Sequence, residues 1–249
     1  MHHVVAYRTA AVAIGAVNES LSLIVGSSDN VANNRYFPPE NGDIIWGFAF
    51  GTNLSNPRIT TPTMLQVGPH SIWPYSAVNP QVPPFAFDDF NGYPCPIKAQ
   101  ETVNVQVSNL DAGAIEVFVV LGIRYRNDPK PTGPRRRVRF TAAITATANL
   151  WTAGAITMDS DLPVGKYTIV GLSVLSATGV AARLTVPNEF YHPGVPMGLA
   201  NGFRYAGNMD QYGWGGFGSF QQNVLPTLEV LCQAADTAQT GWMDLVKNG

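Results

Sequence analysis

Short runs of apolar residues follow one another along the chain, each stopped by Gly, Pro, Asn, Asp or Ser. The period of these runs is that of strands. Thr102 to Ser108 alternates Val with polar residues, as a half-buried strand does. Ile115 to Ile123 is almost wholly apolar, as a strand covered on both faces would be. Asn109-Leu-Asp-Ala-Gly113 between them has the residues of a hairpin turn. Leu21 to Val25 is a short apolar run ending in the turn cluster Gly26 to Asn30, and Asp43 to Phe50 is aromatic and β-branched with Asn41-Gly42 ahead of it. The second half reads the same way, with predicted strands over Val138 to Ala148, Leu150 to Met158, Lys166 to Leu175, Val180 to Val186, Val224 to Cys232 and Gly241 to Lys247. Leu228 to Ala238 is the one stretch of helix-like composition.

The halves also echo each other in order. Val5 with Thr9-Ala10-Ala11 returns as Val138 with Thr141-Ala142-Ala143, and Ile45-Trp46-Gly47 as Ile169-Val170-Gly171. Arg58-Ile59-Thr60 with Pro62 returns as Arg183-Leu184-Thr185 with Pro187. Pro74 and Asn79 match Pro196 and Asn201, and Val103, Val105 and Val107 match Leu228, Val230 and Cys232. A nearly constant offset with unbroken order is what a duplicated unit leaves behind. Each half holds about seven or eight strand signals separated by turns, the pattern of an antiparallel sandwich of Greek-key or jelly-roll kind. The expected fold is therefore all-β: two tandem antiparallel jelly-roll-like β-sandwiches related by internal duplication. Their expected bounds are 1–126 and 138–249, joined by a Pro/Arg-rich connector over 127–137.

A chain of 249 residues accommodates two such units, each large enough to bury a core without metal or disulfide staples. Charged residues are only 13% of the total, about half the usual share, while apolar residues reach 45%. A surface so poor in charge points to burial against neighbouring copies. The formal net charge of −2 argues against non-specific nucleic-acid binding by the whole protein. Cys95 and Cys232 are too few for a disulfide framework and are expected as buried free thiols. Val4 to Val17 is apolar but interrupted by Arg8, and no Lys or Arg precedes it, so no cleaved leader is expected.

Searching for chemistry yields no Gly-x-Ser-x-Gly, His-Glu-x-x-His, Walker loop, Cys-x-x-Cys or EF-hand loop. Neither an enzymatic activity nor a cofactor is expected. His2 and His3 sit at a terminus expected to be mobile, and His70 and His192 are expected to hold equivalent places in the two halves. Asp88-Asp89 and Asp159-Ser-Asp161 could bind a cation, but turn chemistry accounts for both.

Two stretches stand out as candidate contact surfaces. Phe203 to Phe220 sets Tyr205, Tyr212, Trp214, Phe217 and Phe220 among Gly and Asn. Such rings serve as anchors of a protein interface, as a satellite core under the sandwich end, or as a platform for sugar rings. The segment Arg124 to Arg137 carries six of the chain's fifteen basic residues, and Arg135, Arg136, Arg137 and Arg139 form the one basic patch. These arginines either meet phosphates, or lie in a solvated linker running into a strand, or form ion pairs with a neighbouring subunit.

Two consecutive sandwiches, a Pro-rich connector, low charge and no catalytic motif make the chain similar in organisation to the double jelly-roll coat proteins of icosahedral viruses and phages. The resemblance covers nearly the whole chain and is one of organisation, without a diagnostic motif. It implies a structural virion protein, a major capsid protein that self-assembles as pseudo-hexameric trimers and contacts other virion proteins. Contact with nucleic acid or an internal membrane finds no support in the residues beyond the Arg cluster. The alternative from the residues is a carbohydrate-binding module or adhesin using loop 203–220.

Overall fold

Every named element of the computed structural model is a strand. The structure describes residues 2–27, 29–51, 55–64, 70–71, 87–90, 93–109, 112–125, 131–199 and 217–248. The chain divides into two units, Val5–Tyr125 and Arg126–Gly249, and the first four residues belong with the second.

The strands of the first half are β1 (His2–Val12), β2 (Glu19–Ser20), β3 (Ser22–Ile24), β4 (Val31–Ala32), β5 (Arg35–Tyr36) and β6 (Gly42–Gly51), followed by β7 (Ser55–Thr60), β8 (His70–Ser71), β9 (Phe87–Asp89), β10 (Cys95–Ile97), β11 (Asn104–Asn109) and β12 (Ile115–Arg124). They form one sheet in the order β10-β6-β12-β1-β3, with β9 also on β6, a second in the order β2-β11-β7-β8, and the small ribbon β4-β5. Val5, Tyr7, Val117, Val119 and Leu121 from one sheet, Ile59, Val105 and Val107 from the other, and Val103 just before β11 share a single core cluster. A sandwich follows directly from the alternation in β11, whose valines point inward while Gln106 and Ser108 stay half-exposed. Strand β12 is buried on both faces, Phe118 and Val120 as fully as Val117 and Val119, which is why its sequence shows no alternation. The Tyr7 hydroxyl ties the two sheets. It donates to Val103 O at 2.8 Å and accepts the Tyr36 N–H at 3.2 Å, and burial holds its phenol far above the ordinary range.

The second half has β13 (Arg135–Ala142), β14 (Trp151–Ala155), β15 (Thr157–Met158), β16 (Lys166–Ser176) and β17 (Gly179–Thr185), then β18 (Gly194–Pro196), β19 (Gly198–Leu199), β20 (Ser219–Gln221), β21 (Thr227–Cys232) and β22 (Gln239–Lys247). Its sheets run β15-β13-β22-β16-β19, with β20 also on β16, and β14-β21-β17-β18. Eight strands keep the same neighbours as in the first half: β13 stands where β1 does, β14 for β2, β15 for β3, β16 for β6, β17 for β7, β18 for β8, β21 for β11 and β22 for β12, while the sheet ends differ, β10 lying antiparallel on β6 and β19 parallel on β16.

Register repeats too. Along β6 and β12, Ile44 faces Ile123 and Trp46 faces Gly122, so Ile45 is an extra residue. Along β16 and β22, Ile169 faces Leu245 and Gly171 faces Asp244, leaving Val170 extra. A bulge at the same point of the same strand makes Ile44-Ile45-Trp46 the counterpart of Ile169-Val170-Gly171, one residue away from the echo read in the sequence. Gly47 and Gly171 look alike as letters but stand on opposite faces. Trp46 needs a glycine across from it, since a Cβ on Gly122 would lie 1.9 Å from the Trp46 ring nitrogen. The Arg58 and Arg183 echo holds residue for residue: Arg58 faces Gln106 and Arg183 faces Glu229. Through the same ladders Val105 corresponds to Leu228, so the alternating runs match on the right face but two residues out of step.

Four local expectations change. The helix-like composition of Leu228 to Ala238 gives no helix: Thr227–Cys232 is a strand, as the run Val224 to Cys232 predicts, because its apolar residues fill a sheet position. Arg135–Arg137 is no part of a free connector: these residues open β13, facing Val246, Leu245 and Asp244 of β22. His2 and His3 are buried in β1 and packed in the second unit. His70 faces Ile59, while the residue bonded to Leu184, the counterpart of Ile59, is Pro193. His192 is therefore one position out of step with His70. Cys95 and Cys232 are free and buried, and burial pushes the Cys95 thiol up to about 12.

Candidate functional site

The most concentrated polar chemistry lies inside the second unit, where sequence reading did not look for it. Strand β17 carries Arg183 between Ala182 and Leu184, and β21 carries Glu229 between Leu228 and Val230. The two stand opposite each other in the ladder. Arg183 Nε donates to Glu229 Oε2 at 2.5 Å, and its Nη1 donates to Val4 O at 2.9 Å. The guanidinium also lies 4.3 Å above the ring of Trp151 on β14. Arg183 is 0% exposed and Glu229 3%. A buried guanidinium is tolerated only when its charge and N–H groups are met, and the carboxylate, a carbonyl and an aromatic face meet this one.

The same knot holds the start of β1. Val4 N–H donates to His192 O at 2.9 Å, and His192 N–H donates to His3 Nδ1 at 3.0 Å. His192 Nδ1 lies 3.4 Å from Glu229 Oε2. The rings of His3 and His192 meet edge to face at 5.8 Å, and His2 stacks on Phe217 at 5.8 Å. Two imidazoles beside a carboxylate resemble acid–base machinery, yet every one of these groups is closed to solvent. The arrangement is a clamp on the first strand. Its sequence signal was a single charge inside an apolar run on each of two strands that the topology makes neighbours.

In the first unit the corresponding pair is Arg58 and Gln106. Arg58 Nε and Nη2 donate to Gln106 Oε1 at 2.9 and 2.8 Å. Both residues are half-exposed.

The basic patch lies on β13 and faces outward. Arg137 Nε and Nη2 form a fork on Asp244 at 2.7 and 2.8 Å, and Arg135 reaches the same carboxylate at 3.7 Å. Arg139 pairs with Asp159 at 3.2 Å, and Arg136 donates to Ser160 Oγ and Asp161 O. All four arginines stay exposed, with carboxylates at three of them. Of the aromatic stretch, Phe217 and Phe220 are 1% and 2% exposed. Phe220 stacks on Tyr167 at 6.0 Å. These two are filled from within their own sandwich, the satellite-core reading, because β20 lies against β16 and directs Phe220 inward. Tyr205, Tyr212 and Trp214 lie outside the described residues. Asp88 and Asp89 are in β9 on β6. No group of three or more His, Cys, Asp or Glu among the described residues is placed to hold a metal ion. No helix among them is long and apolar enough to cross a membrane.

No family model matches the chain. No protein of curated function matches it in sequence. Among solved structures the chain is similar to the major capsid protein P2 of bacteriophage PM2, at 10% identity and a TM-score of 0.23, over 100% of this chain and 98% of that one. A superposition that loose leaves the fold to be argued from this chain's own strand order.

Proposed function

We propose that the chain is a structural subunit of a virion shell, built from two tandem jelly rolls that arose by duplication and assembling with copies of itself as trimers. The observation that carries the reading is the repeated strand order. In each half the first and last strands lie side by side in one sheet, as β3-β1-β12-β6 and β15-β13-β22-β16, and the facing four-stranded sheets run β2-β11-β7-β8 and β14-β21-β17-β18, an order that fits two Greek keys. The bulge at Ile45 and Val170 and the buried or half-buried Arg58 and Arg183 pairs fall at matching ladder positions. Independent sandwiches have no reason to share a bulge.

Low charge fits a protein whose work is self-association. Its expected location is the capsid, and it is proposed to be neither an enzyme nor dependent on a cofactor. Negative-stain microscopy of the purified chain, raised to high concentration, tests the reading. Closed rings or shells are expected. A field of single monomers, together with binding on a glycan array that is lost in Trp214→Ala, would transfer the function to the carbohydrate-binding alternative.

A further inference from the structure

The sheet orders end on β10, β3, β2, β8, β15, β19, β14 and β18. All of these but β14 have two or three residues, and β10 and β18 also contain Pro96 and Pro196. Strand β14, Trp151–Ala155, has five residues with no proline and no charge. It lies in a stretch from Phe140 to Met158 without a charged side chain. Proteins keep sheet ends from pairing with other chains by shortness, proline or charge, and β14 has none of these guards.

The ladder shows which way its backbone points. Leu184 N–H donates to Pro193 O and Met197 N–H to Val180 O, so the even residues of β17 bond toward β18. Bonding residues alternate along an antiparallel strand, so Ala181, Arg183 and Thr185 bond toward β21, where they face Leu231, Glu229 and Thr227. Leu228 and Val230 then bond toward β14, where they face Gly154 and Thr152. The N–H and C=O groups of Ala153 and Ala155 are left pointing off the sheet. Both residues are exposed, and neither backbone takes a further hydrogen bond among the described residues.

We propose that this edge pairs with the same edge of a second copy, β14 against β14, about a two-fold axis through Ala153. Bare backbone at a sheet end selects a strand as its partner, and the side chains select which strand. About that axis Trp151 faces Ala155 of the neighbouring copy and Thr152 faces its Gly154, a large residue against a small one on each side of the ladder. Ala153 faces itself. Pairing a strand with its own copy usually sets like charges opposite each other, and here there are none. The contact joins two β14-β21-β17-β18 sheets into one continuous sheet. This deepens the coat-protein reading and rests on it: in a shell of trimers, a two-fold contact joins one trimer to the next.

Two variants test the contact. Ala153→Cys keeps every backbone bond and sets two thiols opposite each other, with Cα atoms about 5.5 Å apart in such a pair, within reach of a disulfide. Under mild oxidation it should give a disulfide-linked dimer on a non-reducing gel. Val164→Cys, 85% exposed on the loop before β16, is the control and should not. Ala153→Pro removes the outward N–H at a place where an edge strand tolerates proline, and with it both bonds at the axis. By light scattering it should weaken association beyond the trimer by about tenfold or more. If Ala153→Pro fails to fold by circular dichroism, the linked dimer alone decides. Suppose the unmodified chain forms trimers or larger assemblies, but no linked dimer appears or Ala153→Pro assembles just as far. The coat reading then stands and this contact is wrong. A chain that stays monomeric and yields no linked dimer overturns both.

Discussion

Arg183 shows what a single residue contributes here. Its guanidinium is shut away from water and held by Glu229, the Val4 carbonyl and the Trp151 ring, so its loss leaves a buried carboxylate with no cation. Arg183→Ala should cost about 3–5 kcal/mol, the range for breaking a buried pair from one side. Glu229→Gln should cost a comparable amount, because it leaves a buried guanidinium without its counter-charge, whereas the Arg58–Gln106 pair of the first half is half-exposed and open to solvation. Urea denaturation of the two variants checks this, and a much smaller cost for Glu229→Gln would mean that hydrogen-bond geometry, not charge, holds the clamp. The sequence made Arg58 and Arg183 visible as an echo. It did not show their partners, since Gln106 and Glu229 become partners only through strand pairing between segments far apart in the chain. The histidines were misjudged for a related reason. A chain terminus is usually mobile, and nothing local in His2-His3-Val4 reveals that another part of the chain receives it.

Among the elements, those with a plain alternation or a continuous apolar run were legible: β6, β11, β12, β16 and β17 fall close to where the pattern put them. Strands made from mixed or basic residues were not. Arg135–Arg137 reads as linker because of its charge and the prolines before it, and pairing with β22 brings the charge to Asp244. The turn that follows β16 carries its own prediction. Asp236 accepts the Ser176 hydroxyl and the N–H groups of Ala177 and Thr237, tying the β16–β17 hairpin to the end of β21. Burial alone would raise its pKa, but the Ser176 hydroxyl and the N–H groups of Ala238, Thr237 and Ala177 outweigh it and hold the carboxyl below its ordinary 3.8. A pKa lowered by folding adds stability above the unfolded value and loses it as pH falls through the folded one. Acidification below pH 3.8 should therefore loosen this hairpin. Asp236→Asn should be less stable at neutral pH and show a flatter acid limb in a pH series of thermal melts. An acid limb unchanged by the substitution would mean that other carboxylates carry it.

At the scale of the molecule, the recurring order of strands in the two halves was readable, because order survives when individual letters drift. The exact correspondence was not readable. The bulge at Ile45 and Val170 shifts one echo by a residue, and the two halves solve the same position differently, Trp46 against Gly122 in one and Gly171 against Asp244 in the other. Such compensating exchanges keep the packing and erase the sequence match. The low charge pointed to association without naming the surfaces, and the aromatic residues chosen for that role include two, Phe217 and Phe220, that serve the core of their own sandwich. In the proposed coat role, copies of the chain bind one another. Multi-angle light scattering of the unmodified protein over a range of concentrations measures that most directly. A mass three times the 26.8 kDa of one chain, or a larger multiple of that trimer, is expected. A mass that stays at one chain up to tens of micromolar would contradict it.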